Sequence, residues 1–247
     1  ILRSGGHKAA DIRPLVRLFY KASISGLENL PAGPTVIVLN HISYVDAVLV
    51  SFAANRPMRF MMEREIYNRL PRLMHAVGAI PVSSKDSPAK IEESLETARQ
   101  AIRSGETVVI FPEGQLTRTG NMIGFRPGFL RIIAGASAPV IPAHLDGMWG
   151  SLFSHLEGPS TWDRIKKGPR PMAVSFGKAL AKPSTQSARL AVSELGAEAM
   201  ERRVRSNSKT LAREFVRSAK RAWGRRAMAD GTGLDLTFGK SLAGMVL

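Results

Sequence analysis

Short continuous runs of apolar residues recur along the first 180 positions. Residues 35–39 (TVIVL) and 107–111 (TVVIF) are β-branched and carry no polar face. Runs of that kind predict strands covered on both sides. Residues 59–62, 78–82 (GAIPV), 139–142 (PVIP) and 172–176 predict four more. Between them the period lengthens. Ile91, Leu95, Ala98 and Ile102 recur at helical spacing within 87–103, opened by Ser87-Pro88 and closed by Ser104-Gly105. Helices are also predicted over 47–54 (AVLVSFAA), 67–77 and 129–133. Asp11-Ile12-Arg13-Pro14 opens a further one, since Pro is tolerated in a first turn, with Leu15, Leu18 and Phe19 as its apolar face. Pro31-Ala32-Gly33-Pro34 ends regular structure before the first strand.

Strands alternating with helices argue for an α/β layer architecture. Beyond about residue 180 the alternation gives way to Ala-rich, basic, helical sequence. The organisation read from this is one domain over 1–200, a basic amphipathic helix or linker over 201–229, and a separate segment over 230–247. Within 206–226, Leu211, Phe215, Ala219 and Ala222 form one helical stripe with Trp223 beside it. Lys209, Arg213, Arg217, Lys220 and Arg221 occupy much of the remainder. Such a helix suits an anionic membrane surface, or equally a docked linker whose cations are solvated.

Composition narrows the classes. Of 247 residues, 44% are hydrophobic and only 6% aromatic, so aliphatic side chains fill the core. The absence of cysteine excludes disulfides, thiolate metal sites and a Cys nucleophile. A net charge of +15 calls for an acidic partner. Residues 201–226 hold ten Lys/Arg against two Asp/Glu, a local charge of +8 and more than half the excess. Charge gathered in one tail, few aromatics and no recognition motif argue against nucleic acid. No stretch reaches the 18 or more apolar residues of a spanning helix, so contact with a membrane would be peripheral. The chain opens on Ile1 and closes on LAGMVL, which reads as a piece of a longer polypeptide.

The candidate chemistry lies in NHISYVD. An alcohol is a weak nucleophile at neutral pH, and a positioned His can take its proton during attack. A carboxylate on the other ring nitrogen fixes the tautomer and stabilises the imidazolium. His41 and Asp46 supply both groups. Five helical steps would place them on different faces, so they meet only if His41 sits in the turn before a helix and Asp46 inside it. The other reading makes His41 a polar turn residue and Asp46 a first-turn acid. Ser43 has no G-x-S-x-G context, which disfavours a serine hydrolase. His144 reads as a residue at a strand end, the alternative being a metal ligand with His41. His75 and His155 have no sequence partners. Glycines 120, 124 and 128 follow no phosphate-loop spacing.

Four blocks occur in order: NHISYVD at 40–46, GAIPVSS at 78–84, FPEG at 111–114 and VIPAHLDG at 140–147. Together they resemble the glycerolipid acyltransferase family that includes the 1-acylglycerol-3-phosphate acyltransferases, over roughly residues 20–180. The resemblance implies a mixed, largely parallel sheet flanked by helices, here with a basic helical C-terminal appendage. It implies His41 as general base and Asp46 as its orienter, with Asn40 and Ser43 beside them at the substrate. Glu113 and Gly114 would shape the glycerol-phosphate site, and Val140 and Pro142 the acyl-chain side. The donor would be an acyl thioester on coenzyme A or acyl carrier protein, and the acceptor a lysophospholipid. The setting would be the cytoplasmic face of an anionic membrane. No metal, cofactor or nucleic acid is implied. A non-catalytic membrane-binding module of the same fold is the alternative.

Two departures bear on the acceptor. Ser84 stands where the family carries Arg, with Lys85 and Arg64 as cations nearby in sequence. Gln115-Leu116 replaces the usual Thr-Arg or Ser-Arg after FPEG, leaving Arg118 or Arg126 for the phosphate. A larger head group, such as that of lysophosphatidylethanolamine, becomes an open choice. FPEGQLTRTG followed by FRPGF is also similar to acyltransferase domains fused to an acyl–acyl carrier protein synthetase. Residues 230–247 resemble the opening of an adenylate-forming ligase domain, so further domains in the same polypeptide are expected.

Overall fold

The computed structural model describes residues 13–151, 154, 169–206 and 211–244. Asp11, Ile12, His155, Lys209 and the last three residues lie outside these. The chain divides into two compact units, 1–200 and 201–247.

The first unit is built on seven strands: β1 (Tyr20–Ser25), β2 (Thr35–Leu39), β3 (Arg59–Glu63), β4 (Ala79–Val82), β5 (Thr107–Ile110), β6 (Val140–Asp146) and β7 (Arg170–Phe176). Their order across the sheet is β1-β7-β6-β2-β5-β3-β4. Every pairing is parallel except β6 with β7. The five strands from β6 to β4 therefore aim their carboxyl ends at one edge. This is the mixed, largely parallel sheet the sequence led us to expect.

Side-chain alternation sorts the strands' residues onto two faces. Ile37, Leu39, Val109, Ile141, Ala143 and Leu145 pack with Leu49, Val50 and Ala53 of helix α2 (Asp46–Ala54). Helix α1 (Arg13–Phe19) adds Val16 to the same cluster. On the other face, Val36, Val38, Val108, Ile110 and Val140 meet helices α5 (Pro88–Arg103) and α6 (Gly128–Ile133). The stripe Leu95, Ala98 and Ile102 faces inward as its spacing requires, and Phe129 and Ile132 complete the layer. Ser87 accepts from the Lys90 amide and Pro88 opens the first turn, so α5 starts where its capping residues place it.

The reading of 67–77 as one helix is corrected. Helices α3 (Arg64–Arg69) and α4 (Pro71–Ala76) are separated at Leu70, whose φ of −141° and ψ of 62° leave the helical region. Pro71 explains the break, since its ring crowds the preceding residue out of the α conformation. Gly78 follows at φ +83°, where a Cβ would stand 2.8 Å from the Met58 carbonyl oxygen. Only glycine turns the chain into β4 there.

Helix α7 (Thr185–Ser206) lays its Gly196 against His144 of β6: a Cβ at 196 would stand 2.7 Å from the His144 ring. The His144 Nδ1 is buried without a partner among the described residues. Burial lowers the pKa of this imidazole, against a smaller opposing effect of Asp146 and of a Val192 backbone hydrogen bond. The native state thus disfavours a proton that the unfolded chain accepts near its ordinary value of 6.5. Stability is then fully present above that value and is lost as pH falls below it, by at most about 1.4 kcal/mol per pH unit for one proton. Thermal melts at pH 7.5 and 5.5 are expected to show a larger acid loss for the native chain than for His144→Gln. Equal losses would remove His144 from the account.

The second unit contains α8 (Leu211–Arg221), a hairpin of β8 (Arg226–Ala229) and β9 (Asp235–Thr237), and α9 (Phe238–Ala243). Phe215 meets Phe238 at 5.6 Å between ring centroids, and the Trp223 indole covers Gly239. Of the apolar stripe, Ala219 is buried and Phe215 and Ala222 are half-buried, while Leu211 and Trp223 are exposed. Strand β8 occupies a stretch that the sequence pattern assigned to helix or linker.

Candidate active site

Strand β2 ends at Leu39, and α2 begins at Asp46. His41 lies in the turn between them, the one arrangement in which a five-residue spacing lets the pair meet. Its Nδ1 lies 2.9 Å from Asp46 Oδ2. The same oxygen accepts from the Ile42 amide at 2.7 Å and the Ser43 amide at 2.9 Å. The Ser43 hydroxyl donates to Asp46 Oδ1. Asp46 is fully buried and surrounded by donors, as a carboxylate acceptor requires. With Nδ1–H given to Asp46, the basic nitrogen of the imidazole is Nε2. The His41 side chain is 22% exposed, and Nε2 has no partner among the described residues. The ring stacks on Phe111 at 4.1 Å between centroids, tilted by 22°.

Glu113 holds the backbone around the pair. Its Oε1 accepts from the His41 amide at 2.8 Å and its Oε2 from the Ile123 amide at 2.9 Å. Burial pushes the Glu113 pKa up, and these two backbone bonds oppose that rise. The carbonyl of His41 receives the Thr117 amide at 3.0 Å. The loop after β5 is thereby tied to both polar groups of the His41 backbone. Thr117 in turn orders the loop, donating to the Asn121 carbonyl and accepting from the Gly120 amide. Gly120, at φ +83°, lies against the Trp149 indole, where a Cβ would come within 2.8 Å. Arg170 fixes the Trp149 segment by donating to the carbonyls of Gly147 at 2.6 Å, Gly150 at 3.0 Å and Trp149.

The remaining candidates divide by position. Asn40 is buried and exchanges two hydrogen bonds with the Leu145 backbone, at 2.9 and 2.8 Å, pinning β2 to β6. Ser43 is buried with its hydroxyl on Asp46. Both support the pair from within. Gly114, at φ +68°, lies under the Arg126 guanidinium, which a Cβ would meet at 3.1 Å. Arg126 and Arg118 are exposed and carry no acidic partner among the described residues.

Lys85 stands apart, 85% exposed and 3.8 Å from Glu65, in the turn after β4. That strand is three places from β2, roughly 14 Å at ordinary strand spacing. Arg64 is committed to Asp86, with Nε at 2.9 Å and Nη2 at 2.8 Å, and this pairing lowers the Asp86 pKa. Val140 is buried beneath α5 and α6, paired with Val36 at the amino end of β6, and Pro142 is buried opposite Val38. Neither is at the edge that carries His41. The roles of Thr117, Ile123, Trp149 and Arg170 had no sequence signal, because each acts through backbone groups distant in the chain.

The Acyltransferase family profile matches residues 21–146, just over half of the chain. The chain is 31% identical over 134 residues to the chloroplastic 1-acyl-sn-glycerol-3-phosphate acyltransferase BAT2 of Brassica napus. That match covers 52% of this chain and 38% of the relative, so the chain spans well under half of that protein's length. A 1-acyl-sn-glycerol-3-phosphate acyltransferase of Pseudomonas aeruginosa is 28% identical over 179 residues, covering 71% of this chain and 68% of the relative. The crystal structure of the 1-acyl-sn-glycerophosphate acyltransferase of Thermotoga maritima superposes with a TM-score of 0.55 at 20% identity, covering 75% of this chain and 73% of that one. At that identity it speaks for the fold. The matched span runs from β1 to the end of β6 and holds the whole His41–Asp46–Glu113 arrangement; the chain belongs to the acyltransferase family.

Proposed function

We propose that this chain moves a fatty acyl group from an acyl thioester of coenzyme A or acyl carrier protein to the free hydroxyl of a lysophospholipid. The observation that carries the reading is the buried Asp46 on His41 Nδ1, with Nε2 of the partly exposed ring left without a partner among the described residues. The acceptor hydroxyl gives its proton to Nε2 as its oxygen attacks the thioester carbonyl carbon. The tetrahedral intermediate collapses with cleavage of the C–S bond, and the thiolate takes the proton back from the imidazolium. Asp46 holds the positive charge in between. No acyl-enzyme is needed.

For the head group, Arg126 above Gly114 and Arg118 on the loop tied to His41 are the available cations. Glycerol-3-phosphate head groups, as the names of the relatives indicate, and larger ones such as phosphoethanolamine both offer them a phosphate. Removing one exposed charge-assisted contact is expected to raise KM for the acceptor about tenfold in Arg126→Ala, with kcat nearly retained. The reading is tested by supplying the purified chain with acyl-coenzyme A or acyl carrier protein thioesters and a panel of lysophospholipids. Ester formation with at least one pair is expected. No turnover with any pair would discard it.

A further inference from the structure

Residues 68–77, across the α3–α4 elbow, are exposed at every position but Met74. Such a segment should be polar throughout. Instead it presents Leu70 (58% exposed), Leu73 (52%) and Val77 (41%) to solvent, side chains that ordinarily occupy the core. Arg69 and Arg72 flank them, exposed and without acidic partners among the described residues. Aliphatic side chains ringed by free guanidinium groups match a bilayer whose surface is anionic and whose interior is apolar.

The elbow is also firmly rooted. Tyr67 and Met74 pack against the core beneath α2. Arg64, at the start of α3, grips Asp86 and reaches the Pro81 carbonyl at 3.3 Å and the Ser94 hydroxyl at 3.5 Å. That root follows β3 directly, at the carboxyl edge of the sheet that carries His41. Among the described residues, no helix is long and apolar enough to cross a membrane. Helix α8 buries Ala219 and packs Phe215 on Phe238, leaving Leu211 exposed at its start.

We propose that the α3–α4 elbow seats this chain on an anionic phospholipid bilayer, with Leu70, Leu73 and Val77 entering the interface and Arg69 and Arg72 contacting lipid phosphates. The inference rests on the reading of the acceptor as a membrane lipid. The segment leaves the carboxyl end of β3 and returns to the amino end of β4, so the seat lies along the flank of the sheet between its two edges, with Leu70 nearer the edge that carries His41.

The test is co-sedimentation with vesicles of phosphatidylcholine, with and without phosphatidylglycerol. The native chain is expected to bind the anionic vesicles more tightly. Leu70→Ser with Leu73→Ser, and separately Arg69→Ala with Arg72→Ala, should each weaken binding about tenfold or more. Lys220→Ala with Arg221→Ala on α8 should change it little. Thermal melts of all variants should match the native chain, because the altered side chains face water. Acyl transfer to a short-chain lysophospholipid below its micelle concentration should be unaffected. Undiminished vesicle binding by the elbow variants, or loss only in the α8 variant, overturns the proposal. So does a native chain that ignores both vesicles. Elbow-dependent binding without acyl turnover would uphold the elbow and count against the acyl-transfer reading, so the two failures are separable.

Discussion

Asp46→Asn is expected to lower kcat by about 10³–10⁴-fold while leaving the fold nearly intact. The amide can place its oxygen at the Oδ2 position, where it still accepts from the Ile42 and Ser43 amides. Its NH2 then faces the Ser43 hydroxyl, which reverses to accept. What disappears is the negative charge that stabilises the imidazolium. Asp46→Ala is different in kind. It leaves the two amides, the hydroxyl and His41 Nδ1 without their acceptor, at a cost to stability of about 3–5 kcal/mol. Steady-state kinetics beside thermal melts separate the two. An Asn variant that turns over at the native rate would show that Asp46 only shapes the turn.

His41→Ala is expected to cost about 10²–10⁴-fold in kcat, the usual contribution of a general base, with little effect on melting. The ring is partly exposed, and the bonds Glu113 and Thr117 make here go to the His41 backbone, which Ala retains. A similar rate in the variant would remove His41 as the general base, whereas no turnover in either chain would favour a non-catalytic membrane-binding module of this fold. Loss of melting temperature in step with activity would assign the effect to folding.

The sheet was legible wherever strands are buried on both faces. Every residue of β2 and β5 is buried, and the apolar runs TVIVL and TVVI announce it. Strand β1 was missed because it is an edge strand, exposed at three of its six residues, and YKASIS carries no apolar run. The break at Leu70 was readable from Leu-Pro, but the apolar spacing across it masked the signal.

At the site, His41 and Asp46 could be found because five residues separate them. Glu113 could be picked out by resemblance, but its bonds could not. It meets His41 across 72 residues, through a backbone amide that is the same in every residue type. Asn40 and Ser43 were expected at the substrate, but their polar groups face Leu145 and Asp46. A motif marks which side chains matter without saying which way each one faces.

The basic nitrogen of this site is oriented almost entirely within six consecutive residues, 41 to 46. The cations proposed for the acceptor, Arg118 and Arg126, sit elsewhere, on the segment after β5 that holds the His41 backbone through the Glu113 carboxylate and the Thr117 amide. On that proposal, chemistry and recognition are written in separate parts of the chain. On the proposed roles, changing Arg118 and Arg126 would alter the preferred lipid without touching residues 41–46. For engineering, the same separation makes residues 115–126 an exchangeable cassette, provided Thr117 and Ile123 keep their amides in place.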